Sequence, residues 1–557
     1  MDLFVGALMT LQRAARVTGV LILSLICISC GDTFRPVAVP IPPPPPDPSS
    51  FHFVLMISEN GPNNPGATTR IDVSGDTNVG EATVGLGPAH ATLLPNASRI
   101  YVANSLEDTV SSYAPSNATS VTTVSLPPGS TPVFVHTTEN GTVYVANLGN
   151  NTNVPPTPPA VAAISTVTNV VTNNIPLGFT PIALAETPDG KKVYAVGGSN
   201  GAVSINTIDK SVNPLITDSS LVSPVWVATR SDSQRAYILN QGSGTVTVIK
   251  TFSDAVLGSV SVGAGANFML YDPKLNRLYV TNPMAGTVSI FDASTDLLTA
   301  LTGAPLTIAE YVPQTSTDPQ NPCQGNQVVP TSVTTLPNGS RAYVASYQVN
   351  GAQQICSQVS VINTTNNTVA KTMGLVFEVL PNAIPVTSVP AAPDQTGCSS
   401  VRPAPAPVAG FAKNAGFRLS GTSSGDSSRV YVANCDAGNT AIIRTSDDTQ
   451  VVDVPAPLSD FPPVTTMVNI TAASQSGSNT TYTYTLTPPS PNLRIGMSIV
   501  IAGMTDTGNN GTFAIAALGA GTFTVGNGSG VTASSQNGTG TVTMPPPQNP
   551  VFILAGP

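Results

Sequence analysis

Tyr101-Val102-Ala103-Asn104 returns along this chain as Tyr144-Val145-Ala146-Asn147, Tyr194-Ala195-Val196-Gly197, Tyr237-Ile238-Leu239-Asn240, Tyr279-Val280-Thr281-Asn282, Tyr343-Val344-Ala345-Ser346 and Tyr431-Val432-Ala433-Asn434. Phe53 to Asn60 is an eighth, degenerate copy, and the first four tyrosine-to-tyrosine intervals are 43, 50, 43 and 42 residues. A short apolar strand returning at this period marks a radial array of four-stranded units, because one such unit cannot bury both faces and must stack on a neighbour.

The flanks repeat as well. A proline stands thirteen residues before the tyrosine at Pro88, Pro181, Pro224 and Pro330, and twelve before it at Pro132. An apolar strand follows each proline, then a turn such as Pro188-Asp189-Gly190 or Pro337-Asn338-Gly339, whose Asn, Asp and Gly suit the backbone of a hairpin. The proline-led strand is therefore the inner partner of the tyrosine strand. A Val- and Thr-rich third strand follows, as in Thr109 to Tyr113 and Thr245 to Ile249, and then a weaker fourth, as in Val121 to Leu126. Two residues before the tyrosine stand Arg99, Lys192, Arg235, Arg277, Arg341 and Arg429. With a strand period of two these cations share a face with the ring, which reads as a repeated packing clamp rather than a ligand site.

This order of strands, with Gly-x-x-Pro leading into the next unit, resembles the bacterial YVTN family of β-propeller repeat proteins over residues 51 to about 455. The resemblance implies an all-β propeller of four-stranded antiparallel blades and says little about activity. The repeat count gives eight blades, with seven as the runner-up because the inner strand before Tyr431 is blurred. Almost no helix is expected after the N-terminus. The first unit lacks a proline-led inner strand, and Pro550 to Pro557 has the length and ends of Pro181 to Pro188. The C-terminal segment is thus expected to close the ring as the inner strand of blade 1 and to remove an open sheet edge.

The irregular sequence falls on one side of this plan. Asn60 to Ala67, Asn147 to Pro159 and Tyr347 to Ser357 follow tyrosine strands, while Ala304 to Val329 and about Gly374 to Gly416 precede inner strands. In a meander these two kinds of connection share a face, and loops on a rigid scaffold commonly carry binding. Cys323, Cys356, Cys398 and Cys435 lie in the same set of loops. Three connectivities are open, and the expected pairs are Cys323 with Cys356 and Cys398 with Cys435. No Cys-x-x-Cys pair lies among these four cysteines to suggest zinc, and no metal or other cofactor is expected. Residues 464–547 alternate like short strands between Gly and Asn turns, which reads as a small barrel or sandwich inserted before the closing strand at 548–557.

Arg13 and Arg16 precede the apolar run Val17 to Ile28, which ends in Ile28-Ser29-Cys30-Gly31. The stretch resembles the lipobox of a bacterial lipoprotein signal peptide, although Cys27 stands where leucine is usual. That resemblance implies a signal peptide over 1–30, lipidation of Cys30 and a cell-envelope location, at the outer membrane or facing the periplasm. Asp2 is foreign to a signal n-region, which points to Met9 as the true start. Residues 31–50 hold the run Pro42 to Pro46 and read as an extended stalk. The propeller itself is expected over 51–463.

Only 9% of residues are charged, the net charge is −9 and no basic cluster appears, so a nucleic-acid partner is excluded. No Walker loop, dinucleotide fingerprint, Gly-x-Ser-x-Gly elbow or His-Glu-x-x-His is present. The candidate channel residues are His90, His136 and Trp226. The leading reading is a monomeric, non-catalytic envelope scaffold that binds a protein or glycan through the loop-rich face and meets the membrane through Cys30. A propeller-type lactonase or lyase at the channel is the second reading, and a structural or adhesion component the third. Convergence of His90, His136 and carboxylates at one channel mouth would favour the enzyme.

Overall fold

The computed structural model describes residues 52–557 apart from 139–140, 153–154, 199, 317, 377–386, 391–397, 399–416, 461–463, 487–492, 494–496, 520 and 557. The expected signal peptide over 1–30, with Cys30, and the expected stalk over 31–50 lie outside the described residues. Eight antiparallel sheets form the ring, and a separate six-stranded sheet closes into a barrel. In blades 1 to 8 the inner strands are Asn549–Ala555, Pro88–Leu93, Pro132–Thr137, Pro181–Glu186, Pro224–Thr229, Phe268–Asp272, Val329–Thr335 and Leu419–Ser423. Blade 1 is closed by the C-terminal strand, which pairs Leu554 with Leu55 and Ile553 with Met56.

Each tyrosine strand sits between the inner strand and the third strand, and its ring is among the largest fully buried side chains of the chain. Small neighbours such as Ala103, Ala146 and Ala195, all fully buried, let adjoining blades approach the ring closely. Except at Arg99, which donates to Ser112 of its own blade, the cation two residues earlier reaches into the next blade, at Lys192, Arg235, Arg277, Arg341 and Arg429. There it meets the turn between third and fourth strands, whose last residue adopts a left-handed backbone at Asp76, Asn169, Lys210, Asp254, Asn367 and Asp448. Asp254 accepts from Tyr194 Oη at 2.6 Å, Lys192 Nζ at 2.8 Å and Ser204 Oγ at 2.7 Å. Asp448 takes Tyr343 Oη and Arg341, each at 2.6 Å, and Asp76 takes Arg429 at 2.9 Å to carry the clamp across the ring closure. Between blades 3 and 4 the polarity is reversed: Thr142 replaces the cation, and Lys210 in the turn donates to Tyr144 Oη at 2.7 Å. The clamp is therefore an inter-blade device, and its acceptor lies far away in the sequence.

Three blades depart from the plain repeat. In blade 4 the outer position is taken by an irregular stretch, bonded from Asn213 N to Ser204 O and from Ile216 N to Ala202 O. Blade 6 splits its outer strand into Thr299–Ala300 and Leu306–Thr307, both on Thr287–Asp292. In blade 7 the stretch from Tyr347 to Ser357, read above as a loop, largely prolongs the ladder by pairing Tyr347 with Ser357, Gln348 with Cys356 and Val349 with Ile355.

The barrel runs from Val464 to Met544, and its first strand lies beside its last. Val468, Ile470, Tyr482, Ile499, Phe523 and Val542 fill it. Its neck is pinned by Gln548 N to Pro457 O at 2.7 Å and Ser459 N to Pro546 O at 2.9 Å. The Asp506 to Gly511 segment holds a single 3-10 turn, Thr507–Asn509.

Candidate functional site

Two positions after the leading proline, or its counterpart, each inner strand directs a side chain toward the axis. These residues are Phe552, His90, Phe134, Ala183, Trp226, Phe268, Ser332 and Ser420 in blades 1 to 8. His90 stacks on Phe134 at 3.8 Å between ring centroids and meets Phe552 at 4.3 Å. Trp226 sets its ring against Phe134 at 5.6 Å and Phe268 at 5.1 Å. Blades 4, 7 and 8 offer only Ala183, Ser332 and Ser420 at this level, and the space they leave is filled by a sixth ring. That ring is Phe417, from the segment entering blade 8, whose N–H donates to Val551 O at 2.6 Å. It reaches Trp226 at 5.8 Å, Phe268 at 5.3 Å and Phe552 at 6.4 Å. Edge-to-face and stacked contacts of this kind add about 0.5–1.5 kcal/mol each beyond the area they bury. The channel is thus stoppered by six rings, and two of the three candidate channel residues, His90 and Trp226, belong to the stopper.

His136 stands two positions further along its strand, toward the turns between inner and tyrosine strands. Its Nε2 accepts from the Glu186 N–H at 3.2 Å. Burial pushes its pKa down to about 4, so it is a neutral imidazole at pH 7. Its counterparts in the other blades are Thr, Ala or Leu. The Glu186 carboxylate acts on a different pair: it adds to burial in raising the Tyr144 hydroxyl, and it opposes the burial that lowers Lys210. His90 and His136 therefore stand at different levels of the ring, His90 in the stopper and His136 nearer the hairpin turns.

The loop-rich face has its own chemistry. Cys323 is bonded to Cys356 and Cys398 to Cys435, as expected, and all four are buried. Directly after Phe417, Arg418 grips Asp436 with both ends, Nε to Oδ2 at 2.7 Å and Nη2 to Oδ1 at 2.8 Å. The Arg418 guanidinium also lies 5.3 Å from the centre of the Tyr347 ring. Burial works against its charge, and the Asp436 carboxylate and the Tyr347 hydroxyl together more than offset that, so its pKa is raised. Nearby, the Gln348 amide donates to Asn326 O at 2.7 Å and accepts from Asn321 at 2.9 Å, which locks the loop before blade 7 onto its prolonged hairpin. On blade 4 the same face opens an apolar cleft of about 360 Å³, lined by Leu177, Phe179, Val203, Val212 and Leu215. Gly201 makes room for it, since a Cβ there would come within 2.1 Å of the Phe179 ring.

A proline-plus-two rule would have found His90, Phe134, Trp226 and Phe552 together, because each stands two after Pro88, Pro132, Pro224 and Pro550. Phe417 carries no such signal, and Arg418 and Asp436 are 18 residues apart with no motif between them.

No protein-family model matches the chain. No curated protein matches it either. Solved structures with a similar fold include the periplasmic gluconolactonase of Pseudomonas aeruginosa, at 16% identity and TM-score 0.41, covering 61% of this chain and 98% of that one. Hydrazine synthase of Kuenenia stuttgartiensis is 19% identical, with TM-score 0.41 and coverage of 65% and 96%. A functionally unknown protein from Desulfotomaculum acetoxidans is 12% identical, with TM-score 0.42 and coverage of 58% and 95%. At these scores the likenesses carry no argument about activity.

Proposed function

We propose that the chain is a cell-envelope scaffold that binds a protein or glycan through its loop-rich face and performs no chemistry in its channel. The six-ring stopper carries this reading. A channel enzyme needs an open pocket with an acid or base aimed into it, whereas His90 here is one slab of an aromatic stack and His136 accepts a backbone N–H. The other face holds both disulfides, the Arg418–Asp436 pair, the blade 4 cleft and the neck of the barrel. Buried ion pairs and disulfides hold loops in one arrangement, which suits a preformed recognition surface.

Two assays test it together. Cosedimentation with purified peptidoglycan sacculi and pull-down against solubilised envelope proteins should each be run with the parent chain and with Arg418→Ala, which unlocks the entry to blade 8. Binding to one of the two probes, weakened at least tenfold by Arg418→Ala, is expected, together with background rates of hydrolysis on glucono-δ-lactone and its 6-phosphate. Lactone hydrolysis that His136→Gln abolishes would instead establish the enzyme.

A further inference from the structure

We infer that the opposite face, built from the turns between third and fourth strands, rests on a lipid bilayer through an arc of three apolar side chains. Among the described residues the three most exposed large apolar side chains are Val167, Phe252 and Ile208, at 88%, 88% and 86%. The next, Met284, is at 61%. All three occupy the third position of the same five-residue turn, in the consecutive blades 3, 4 and 5: Ser165 to Asn169, Asn206 to Lys210 and Lys250 to Asp254.

Folding does not ask for an apolar residue there. The second position of the turn is structural: Thr166, Thr207, Thr364 and Thr445 each donate to a carbonyl of the neighbouring hairpin turn. The fifth position, as described above, receives the clamp. The third position points into solvent, and blades 1, 6, 7 and 8 fill it with Ser74, Ser294, Thr365 and Ser446. Three neighbouring blades therefore expose, at one equivalent position, apolar side chains that the fold does not require.

A bilayer is the occupant that fits best. The three side chains stand on separate turn tips of a rigid ring and offer no groove, so they suit a broad, yielding apolar phase rather than a shaped protein pocket. Charge on this side is mixed: Lys250 opens the blade 5 turn and is exposed, exposed Asp209 follows Ile208, and Lys191 is paired with Asp189 at 3.0 Å. The apolar tips, rather than a field of cations, are what this side offers a bilayer. The chain also enters the ring from this side, since Phe53 pairs with Asp72 at the turn between third and fourth strands of blade 1. The inference rests on the envelope reading, which brings a membrane within reach of the chain.

Trp226 lies in the stopper, so an indole introduced at position 252 can be read against it. The full chain carrying Phe252→Trp is mixed with vesicles of phosphatidylethanolamine and phosphatidylglycerol, three to one, containing acyl-chain-brominated lipid. Blue-shifted emission at least halved by the bromines is expected, with no quenching in the parent chain or in Leu106→Trp on the other face. The triple variant Val167→Ser, Ile208→Ser, Phe252→Ser should keep its melting temperature and lose vesicle partition at least tenfold in the Cys30→Ser background. Flotation of the chain with vesicles reads anchoring separately. A Phe252→Trp chain that floats but keeps its new indole unquenched, as a protein partner for the arc would require, overturns the arc and spares the envelope reading. A chain that does not float overturns both.

Discussion

At the scale of single residues, His136 ties the interior of the ring to pH. Its pKa in the folded chain, about 4, lies below the 6.5 of a free imidazole. Between those values the unfolded chain takes up a proton that the folded chain refuses, so stability falls as pH drops from 6.5 toward 4, by at most about 3 kcal/mol. His136→Gln keeps an acceptor for the Glu186 N–H and removes the titration. Its melting temperature should match the parent's at pH 7 and exceed it at pH 4.5; an equal loss in both proteins would show that other groups govern the acid limb. His136 also illustrates what a single residue conceals in a sequence. It draws attention by its chemistry, whereas what governs it is the backbone of the next blade, reached only once the ring is folded.

At the scale of elements, the closing strand makes the strongest demand. Residues Val551 and Ile553 are buried at 0% and 3% exposure, and Phe552 is one of the six channel rings. Deleting 550–557 strips blade 1 of its inner strand and the stopper of one ring, and should lower the melting temperature by more than about 10 °C. An unchanged melting temperature would refute the closure. The strand was legible because it matched Pro181 to Pro188 in length and ends, and the disulfides because their partners share a face within one blade. The stopper and the clamp were not, for one physical reason. Strand pairing is set by local pattern, but rings that meet across an axis and acceptors such as Asp448, which serves Arg341, come from different blades. A single strand does not say which of its residues will face a neighbour about a hundred positions away.

At the scale of the whole molecule, the two disulfides tie down the part of the ring that strays furthest from the repeat. They span 33 and 37 residues, and by chain entropy each contributes about 3–4 kcal/mol. With all four sulfurs buried, reductant should act only through opening of blades 7 and 8. Hydrogen exchange of the paired variant Cys398→Ser, Cys435→Ser should therefore show lost protection concentrated in Leu419–Ser423 and its neighbours, with blades 3 to 5 unchanged. Protection lost evenly around the ring would mean that the molecule opens only as a whole.

The barrel has a consequence for assembly. Between the last outer strand, which ends at Pro455, and the closing strand, which begins at Asn549, lie more than ninety residues of chain. Left as open coil, that stretch would make capture of the final strand a search over a long tether. Because the first and last strands of the barrel are paired, and its neck joins Pro457 to Gln548, the folded module shortens the tether to a few residues. The entropy saved is about 2 kcal/mol. The insertion thus acts as a splint: once folded, it hands the last strand to the gap it must fill.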